Sequence, residues 1–578
     1  MSTAVPYTTY SNDKIWLKSY PPSVPASLDY SQYGSLNHLL NEAFTTFKDR
    51  TAYVCMGAEM TFGDLDAQSK QIAAWLQTQG LNKGDRVAIM MPNVLQYPAT
   101  IAGILRAGMT VVNVNPLYTA RELQHQLKDS GASAIFVLEN FASVLQEVIA
   151  NTDVKRTVVC SVGDRLSWWK GPLINMVIRH IKKVVPEYTL PNAIRFNDML
   201  SEANKLNYAP VHSSMDDIAF LQYTGGTTGV SKGATLNHRN IVSNLLQTEA
   251  WLQPKLAEVP VGQQMTMVCA LPLYHIFALT ICAMMGARLG MMNVLIPNPR
   301  DIPGFIKTLR NYRVNIFPAV NTLFNSLVNH PEFAKLDFSK LIVSNGGGMA
   351  VTRATAEKWA ATTGCSIAEG YGLSETSPVA TTNPPTATEY SGTIGLPVPD
   401  TDIAIRDPET GVDVPLGSTG EILIRGPQVM QGYWNRPDET AKVMTADGYF
   451  KSGDMGFMDE RGHVKIVDRI KNMILVSGFN VYPSEIEDVI SSHPGVLECA
   501  AIGIPNANSG EEPRIYVVKK DPMLSERDVL DWAAKGLTNY KRPKSVEFRA
   551  DLPKTNVGKI LHRELRDEVL KKMKDAAA

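Results

Sequence analysis

The stretch Tyr223–Gly233, YTGGTTGVSKG, concentrates the groups that hold phosphate. Gly225, Gly226, Gly229 and Gly233 let the backbone approach a ligand closely. The hydroxyls of Thr224, Thr227, Thr228 and Ser231 stand among the amides, and Lys232 adds a cation. Rows of N–H and O–H donors beside a positive charge suit phosphate oxygens. The plain alternative is a flexible turn, which has no use for so many hydroxyls in register. Two common nucleotide loops do not fit. A Walker A loop needs Ser or Thr after its lysine, where this chain has Gly233, and the glycine spacing breaks GxGxxG.

Such a loop needs rigid elements to hold it. The apolar IAFLQ before Tyr223 reads as a strand leading into the loop. Earlier, residues 61–80 read as a helix, with Thr61 and Asp64 as an N-cap pair, Leu65, Ile72, Trp75 and Leu76 as its apolar stripe, and Gly80 as its stop. RVAIMMPN (86–93) reads as a strand, 97–107 as a helix and the stretch around Val111–Val114 as another strand. This repetition predicts an α/β class with a largely parallel sheet covered by helices. The last 110 or so residues read as a smaller α+β unit with strands HVKIV (463–467) and RIYVV (514–518). Capping boxes are expected at Ser484/Glu487 and Ser525/Asp528. The expected division is residues 1–468, a large N-terminal domain, and 469–578, a small C-terminal one.

The chain's 578 residues exceed what one hydrophobic core supports. A net charge of −1 gives no reason to expect nucleic acid. The six cysteines are scattered without CxxC spacing, which argues against zinc or a disulfide framework and fits a reducing cytoplasm. The N-terminus lacks the basic head and apolar run of a signal peptide, and no apolar run is long enough to span a bilayer.

In its glycine-rich loop the chain resembles the adenylate-forming superfamily of acyl-CoA synthetases, luciferases and peptide-synthetase adenylation domains. Further segments match that family's motifs in its order: NGGGM (345–349), EGYGLSETSP (369–378), GYFKSGDMG (448–456), VDRIKNMILVSGFNVYPSEIE (467–487) and LPKTNVGKILHREL (552–565). The resemblance covers residues from about 50 to 566 and is most similar to bacterial long-chain fatty acid–CoA ligases, also through LPLYHIFALT (271–280) and NPRDIPGFIKTL (298–309). Asn539 departs from it, where relatives tend to have Gly.

The resemblance implies a two-step reaction. A carboxylate attacks the α-phosphate of ATP to give an acyl-adenylate, and CoA then displaces AMP. It implies Mg²⁺ held by Glu375 and Thr224, Ser374 on a phosphate oxygen, and Tyr371 and Gly372 at the adenine with Gly346, Gly347 and Gly348 along its other face. Asp454 would accept the ribose hydroxyls, Arg469 would approach ribose or phosphates, and Lys471 would mark the hinge. Lys559 would bridge the substrate carboxylate and the α-phosphate. His275 would border the carboxylate site, its plain alternative being a packed histidine between Tyr274 and Ile276. After adenylation the small domain would turn and present Ser477, Gly478 and Phe479 to CoA.

A ligase for a medium-chain or aromatic acid, an acyl-AMP ligase serving a carrier protein, and a non-catalytic nucleotide sensor are the competing readings. Relatives often pair as homodimers. RLSWWKGPLINMVIRHIKKVVPEY (165–188) is amphipathic, basic and Trp-bearing, which suits the surface of a membrane carrying the fatty acid substrate. Its plain alternative is a helix packed on its own domain.

Overall fold

The computed structural model describes residues 13–224, 231–477, 479–506, 509–555 and 558–577. Two mixed sheets dominate. In the first, the strands Arg86–Met90, Thr110–Asn113, Ala132–Leu138, Arg156–Cys160 and Ile218–Thr224 run parallel, and the antiparallel Lys232–Asn237 closes one edge. In the second, Thr51–Cys55, Met292–Leu295, Thr266–Cys269, Ile316–Ala319, Val343–Gly346 and Ile367–Gly372 run parallel, with antiparallel strands at both edges. Parallel strands are buried on both faces and so are nearly continuously apolar, as VAIM and VVNV are here. One apolar core runs from Trp16 to Val464 and joins the two sheets.

The helix expected at 61–80 is Phe62–Gln77, and Thr61 and Asp64 form the expected capping box. The helix expected at 97–107 is Gln96–Arg106. HVKIV does not belong with the C-terminal strands. It lies in Val464–Arg469, the edge of an antiparallel four-stranded sheet with Asp402–Arg406, Gly420–Arg425 and Phe450–Met458.

The C-terminal sheet comprises Phe479–Val481, Ile474–Val476, Gly510–Lys519, Val496–Asn506 and Ser545–Arg549. It has its own apolar clusters, one around Ile486, Ile490 and Val529, another around Leu552 and Leu565. The fold is therefore α/β with a large N-terminal and a small C-terminal domain. Ser525 and Asp528 cap their helix as expected. Ser484 and Glu487 do not, because both are bonded elsewhere. The Ser484 amide donates to Asp468 at 2.9 Å, and Glu487 accepts from Ala501 N at 2.8 Å.

Candidate active site

Two paired strands flank the segment expected to bind phosphate. Ile218–Thr224 and Lys232–Asn237 pair antiparallel, with Thr224 opposite Lys232 and Tyr223 opposite Gly233. Gly225, Gly226, Thr227, Thr228 and Gly229 lie outside the described residues. A Cβ on Gly233 would press to 3.1 Å from the Tyr223 ring, so glycine suits this position. The Ser231 carbonyl meets His125 Nε2 at 2.8 Å. Lys232 Nζ stands 2.6 Å from Glu439 Oε2 and 4.9 Å from the centre of the Tyr433 ring.

The glycine run and the GYG strand lie side by side. Val343–Gly346 pairs parallel with Ile367–Gly372, setting Gly346 opposite Glu369. Gly347 packs on Phe277, where a Cβ would come to 3.0 Å, and Gly348 has φ +76°. A Cβ on Gly372 would collide with the Pro378 carbonyl. The backbone is thus held where glycine is favoured at Gly348 and required at Gly372. Tyr371 donates its hydroxyl to Asp454 Oδ2 at 2.7 Å, and Arg469 Nε lies 3.0 Å from Asp454 Oδ1. Each carboxylate oxygen is held by a different partner, and Asp454 is buried.

Glu375 sits with Ser374 on a single turn, Ser374–Thr376, and is buried. Its Oε1 accepts the Tyr433 hydroxyl at 2.7 Å. Burial raises its pKa, against the opposing pull of Tyr433, Arg469 and Lys232. Among the described residues no cluster of three His, Cys, Asp or Glu is placed to hold a metal. The protein offers a cation one buried carboxylate and the Thr224 hydroxyl, a donor set that fits a hard ion keeping its waters and bridging phosphates.

Lys559 reaches this cleft from the C-terminal domain. Its carbonyl accepts from Thr555 N at 2.7 Å and its amide donates to Thr555 Oγ1 at 3.0 Å, closing a tight loop. Gly558, at φ +82°, lies against Val320 and Thr322 of the large domain. Burial, with Arg469 beside it, lowers the ammonium to about 8, while Asp454 and Asp468 oppose that shift. His275 is lowered to about 4, by burial first and then by the Lys559 charge. Its Nδ1 accepts the Phe277 N–H at 3.3 Å, which places the proton of the neutral ring on Nε2.

A single cleft of about 2170 Å³ is lined by Thr224, Ser231, Lys232, His275, Gly346, Gly347, Gly348, Tyr371, Gly372, Ser374, Glu375, Asp454, Arg469, Lys471 and Lys559. Burial and the neighbouring Arg469 and Lys232 charges lower the Lys471 pKa. Ser477 and Phe479 do not line the cleft. Phe479 is exposed and stacks on Tyr540, ring centres 4.8 Å apart. Gly478 lies outside the described residues.

Sequence reasoning missed Tyr433, Glu439 and Glu369, all of which line the cleft. Tyr433 and Glu439 come from a segment distant in sequence from their partners. Glu369 carried a visible signal, an acid inside an otherwise uncharged buried strand. Burial raises its carboxyl to about 8, against one opposing hydrogen bond from Val351 N.

Residues 40–434 match the AMP-binding enzyme family and 485–559 the AMP-binding enzyme C-terminal domain. A long-chain-fatty-acid–CoA ligase of Yersinia pestis is 53% identical over 97% of this chain and 99% of its own length. One of Salmonella typhi is 51% identical over 98% and 100%. ATP-bound MatB from Rhodopseudomonas palustris superposes with a TM-score of 0.75 at 29% identity, covering 92% of this chain and 99% of that one.

Proposed function

This chain belongs to the AMP-binding enzymes, and we propose that it is a long-chain fatty acid–CoA ligase that makes acyl-CoA, AMP and diphosphate from ATP, a fatty acid and CoA, feeding fatty acid degradation. The observation that carries the chemistry is the meeting of Lys559, from the C-terminal domain, with His275, Glu375 and Asp454, from the large one, in a single cleft. The long-chain specificity rests on the similarity to curated ligases.

In the first step a fatty acid carboxylate oxygen bonds to the α-phosphorus, and the bond to the bridging oxygen breaks as diphosphate leaves. Two anions must meet, so orientation and positive charge supply most of the acceleration. The Lys559 charge acts on His275, on the expected carboxylate side, and is itself acted on by Asp454, on the expected nucleotide side. Its ammonium neutralises the charge building between the two reactants. Asp454 orients the ribose, Tyr371 and the 346–348 backbone flank the adenine, and Ser374, Thr224, Lys232 and the loop amides hold the phosphates. Thr224 and Glu375 would hold Mg²⁺, whose bound charge offsets that of the phosphates. Neutral His275 borders the carboxylate site without adding a further cation beside Lys559 and Arg469.

In the second step the CoA sulfur, its proton lost, bonds to the carbonyl carbon and AMP leaves. Rotation about Lys471 would withdraw Lys559 and carry the exposed Ser477 and Phe479 towards the cleft.

Diphosphate release from palmitate, octanoate, benzoate and acetate, each with and without CoA, tests the reading. Palmitate is expected to give the fastest CoA-dependent turnover. Preference for benzoate or acetate, or turnover indifferent to CoA, overturns it.

A cytoplasmic enzyme that touches the membrane surface is part of the same proposal. Among the described residues no helix is long and apolar enough to cross a membrane. Residues 165–188 form a short helix, Lys170–Met176, running into a wide π-helical turn, Val177–Ile181. Trp168 is 88% exposed and Ile181 69%, with Trp169, Leu173 and Met176 also outward. Arg179 anchors the segment, its Nε 2.9 Å from the buried Glu139. Apolar side chains held outward beside Lys182 and Lys183 suit an anionic bilayer surface.

A further inference from the structure

The segment from Gly432 to Lys442 clasps the phosphate hairpin from outside. Thr235 N donates to the Gly432 carbonyl at 2.9 Å, and Trp434 N donates to Gly233 at 2.8 Å. Arg436 donates to Asp129 Oδ1 at 2.8 Å, while Asp129 Oδ2 accepts the Tyr223 hydroxyl at 2.8 Å. This holds the strand that enters the loop. The strand that leaves it is held by Glu439, whose Oε2 lies 2.6 Å from Lys232 Nζ and whose Oε1 accepts from Lys442.

Glu439 is an unusual neighbour for a lysine whose role is to bind phosphate. Both residues line the cleft. Lys232, first, and Lys442 hold the Glu439 carboxyl down at about 2, so it stays an anion throughout the neutral range. An ammonium has three donors, but a phosphate oxygen approaching Lys232 also approaches the carboxylate already bound there. The two anions compete for one cation.

We propose that Glu439 stands in for a phosphate oxygen on Lys232, yielding the ammonium to the polyphosphate of ATP and reclaiming it as diphosphate departs. It is a positioning residue that acts through Lys232. It holds the lysine at the cleft, and it weakens the hold on diphosphate so that product does not block the site. Tyr433 ties this exchange to the rest of the cleft, because its ring lies beside Lys232 and its hydroxyl bonds Glu375.

The inference rests on the reading of the cleft as a nucleotide site, and its test needs no turnover. Diphosphate and tripolyphosphate binding to the full-length protein is measured by calorimetry at low salt, beside the Glu439→Gln variant. Both anions are expected to bind the variant about two- to fivefold more tightly, the scale of an exposed ion pair. The gain should shrink at high salt, and Glu439→Asp should restore the original affinity. A thermal melt confirms that the variant is folded, and Glu439→Ala replaces it if it is not. Unchanged or weaker binding in a folded variant overturns the proposal and assigns Glu439 a purely structural role. Failure of either anion to bind even the unmodified protein overturns the nucleotide reading, and the exchange with it.

Discussion

Gly558 lies so close to Thr322 that a Cβ on it would come within 2.5 Å of the threonine Oγ1. The contact joins the lysine-bearing loop to the large domain, and φ +82° at Gly558 disfavours any side chain besides. Gly558→Ala should slow acyl-adenylate formation from ATP, by roughly tenfold or more on the scale of a clash plus about 1 kcal/mol of backbone strain. Thr322→Ala in the same chain should recover part of the loss, since the clash goes and the strain stays. Single-turnover adenylation assays read both. No recovery in the double variant means the contact does not set the position of Lys559.

Lys559→Ala should cut adenylation by about 10²- to 10³-fold or more, the scale of losing one donor aimed at developing charge. Thioester formation from supplied acyl-adenylate and CoA should be largely spared, since that step does not build charge at the α-phosphate. Measuring the two half-reactions separately checks this, and equal loss in both would remove the role assigned to Lys559.

The lowered pKa of Lys559 sets a pH limb. The ammonium is the useful form, and in the free enzyme it is lost as pH rises through about 8. The kcat/KM for ATP in the adenylation half-reaction should therefore fall above that pH. Bound anions favour the cation, so the corresponding limb in kcat should lie higher. Lys559→Arg should abolish the limb at whatever activity remains, because a guanidinium does not titrate there.

Glu369 carries a linkage of the opposite kind from an ordinary surface acid. Its folded carboxyl keeps its proton to about 8, whereas the unfolded chain releases it near the usual 4.5. The folded state thus binds an extra proton between those values, and stability declines as pH rises across them. Glu369→Gln, which mimics the protonated acid, should raise the slope of unfolding free energy against pH by about 1.4 kcal/mol per pH unit between pH 5 and 7. Denaturant titrations at several pH values read this slope, and an unchanged slope would show that Glu369 is ionised in the fold.

Vesicle flotation tests the basic, Trp-bearing segment. The protein should float with anionic vesicles, more weakly at high salt, and deletion of 165–188 or the pair Trp168→Ser and Trp169→Ser should reduce that binding. Equal flotation with and without the segment would assign membrane contact to another surface.

The sequence was most informative where partners are near in the chain. Thr61 with Asp64 and Ser525 with Asp528 are three residues apart, and each pair closes on itself. Ser484 and Glu487 have the same spacing, yet Asp468, Ala501 and His562 claim them from elsewhere. The motif residues were likewise visible one by one, and the cleft brings most of them together. Their supports were not. Nothing local to Lys232 announces Glu439, and nothing local to Glu375 announces Tyr433, because tertiary folding alone sets those pairs side by side. The same reason hid the fate of HVKIV, whose strand pattern is plain but whose sheet is decided by long-range pairing.

Asp454 couples more than two side chains. One of its oxygens is bonded by Tyr371, beside the glycine run, and the other by Arg469, the last residue of the strand that leads out towards the C-terminal sheet. A nucleotide that draws on this carboxylate shares it with Arg469, and a shift in the chain that moves Arg469 changes what the carboxylate offers a nucleotide. Thermodynamic reciprocity makes the two effects equal. The orientation of the small domain should therefore be readable as a difference in nucleotide affinity, and nucleotide occupancy as a difference in domain orientation.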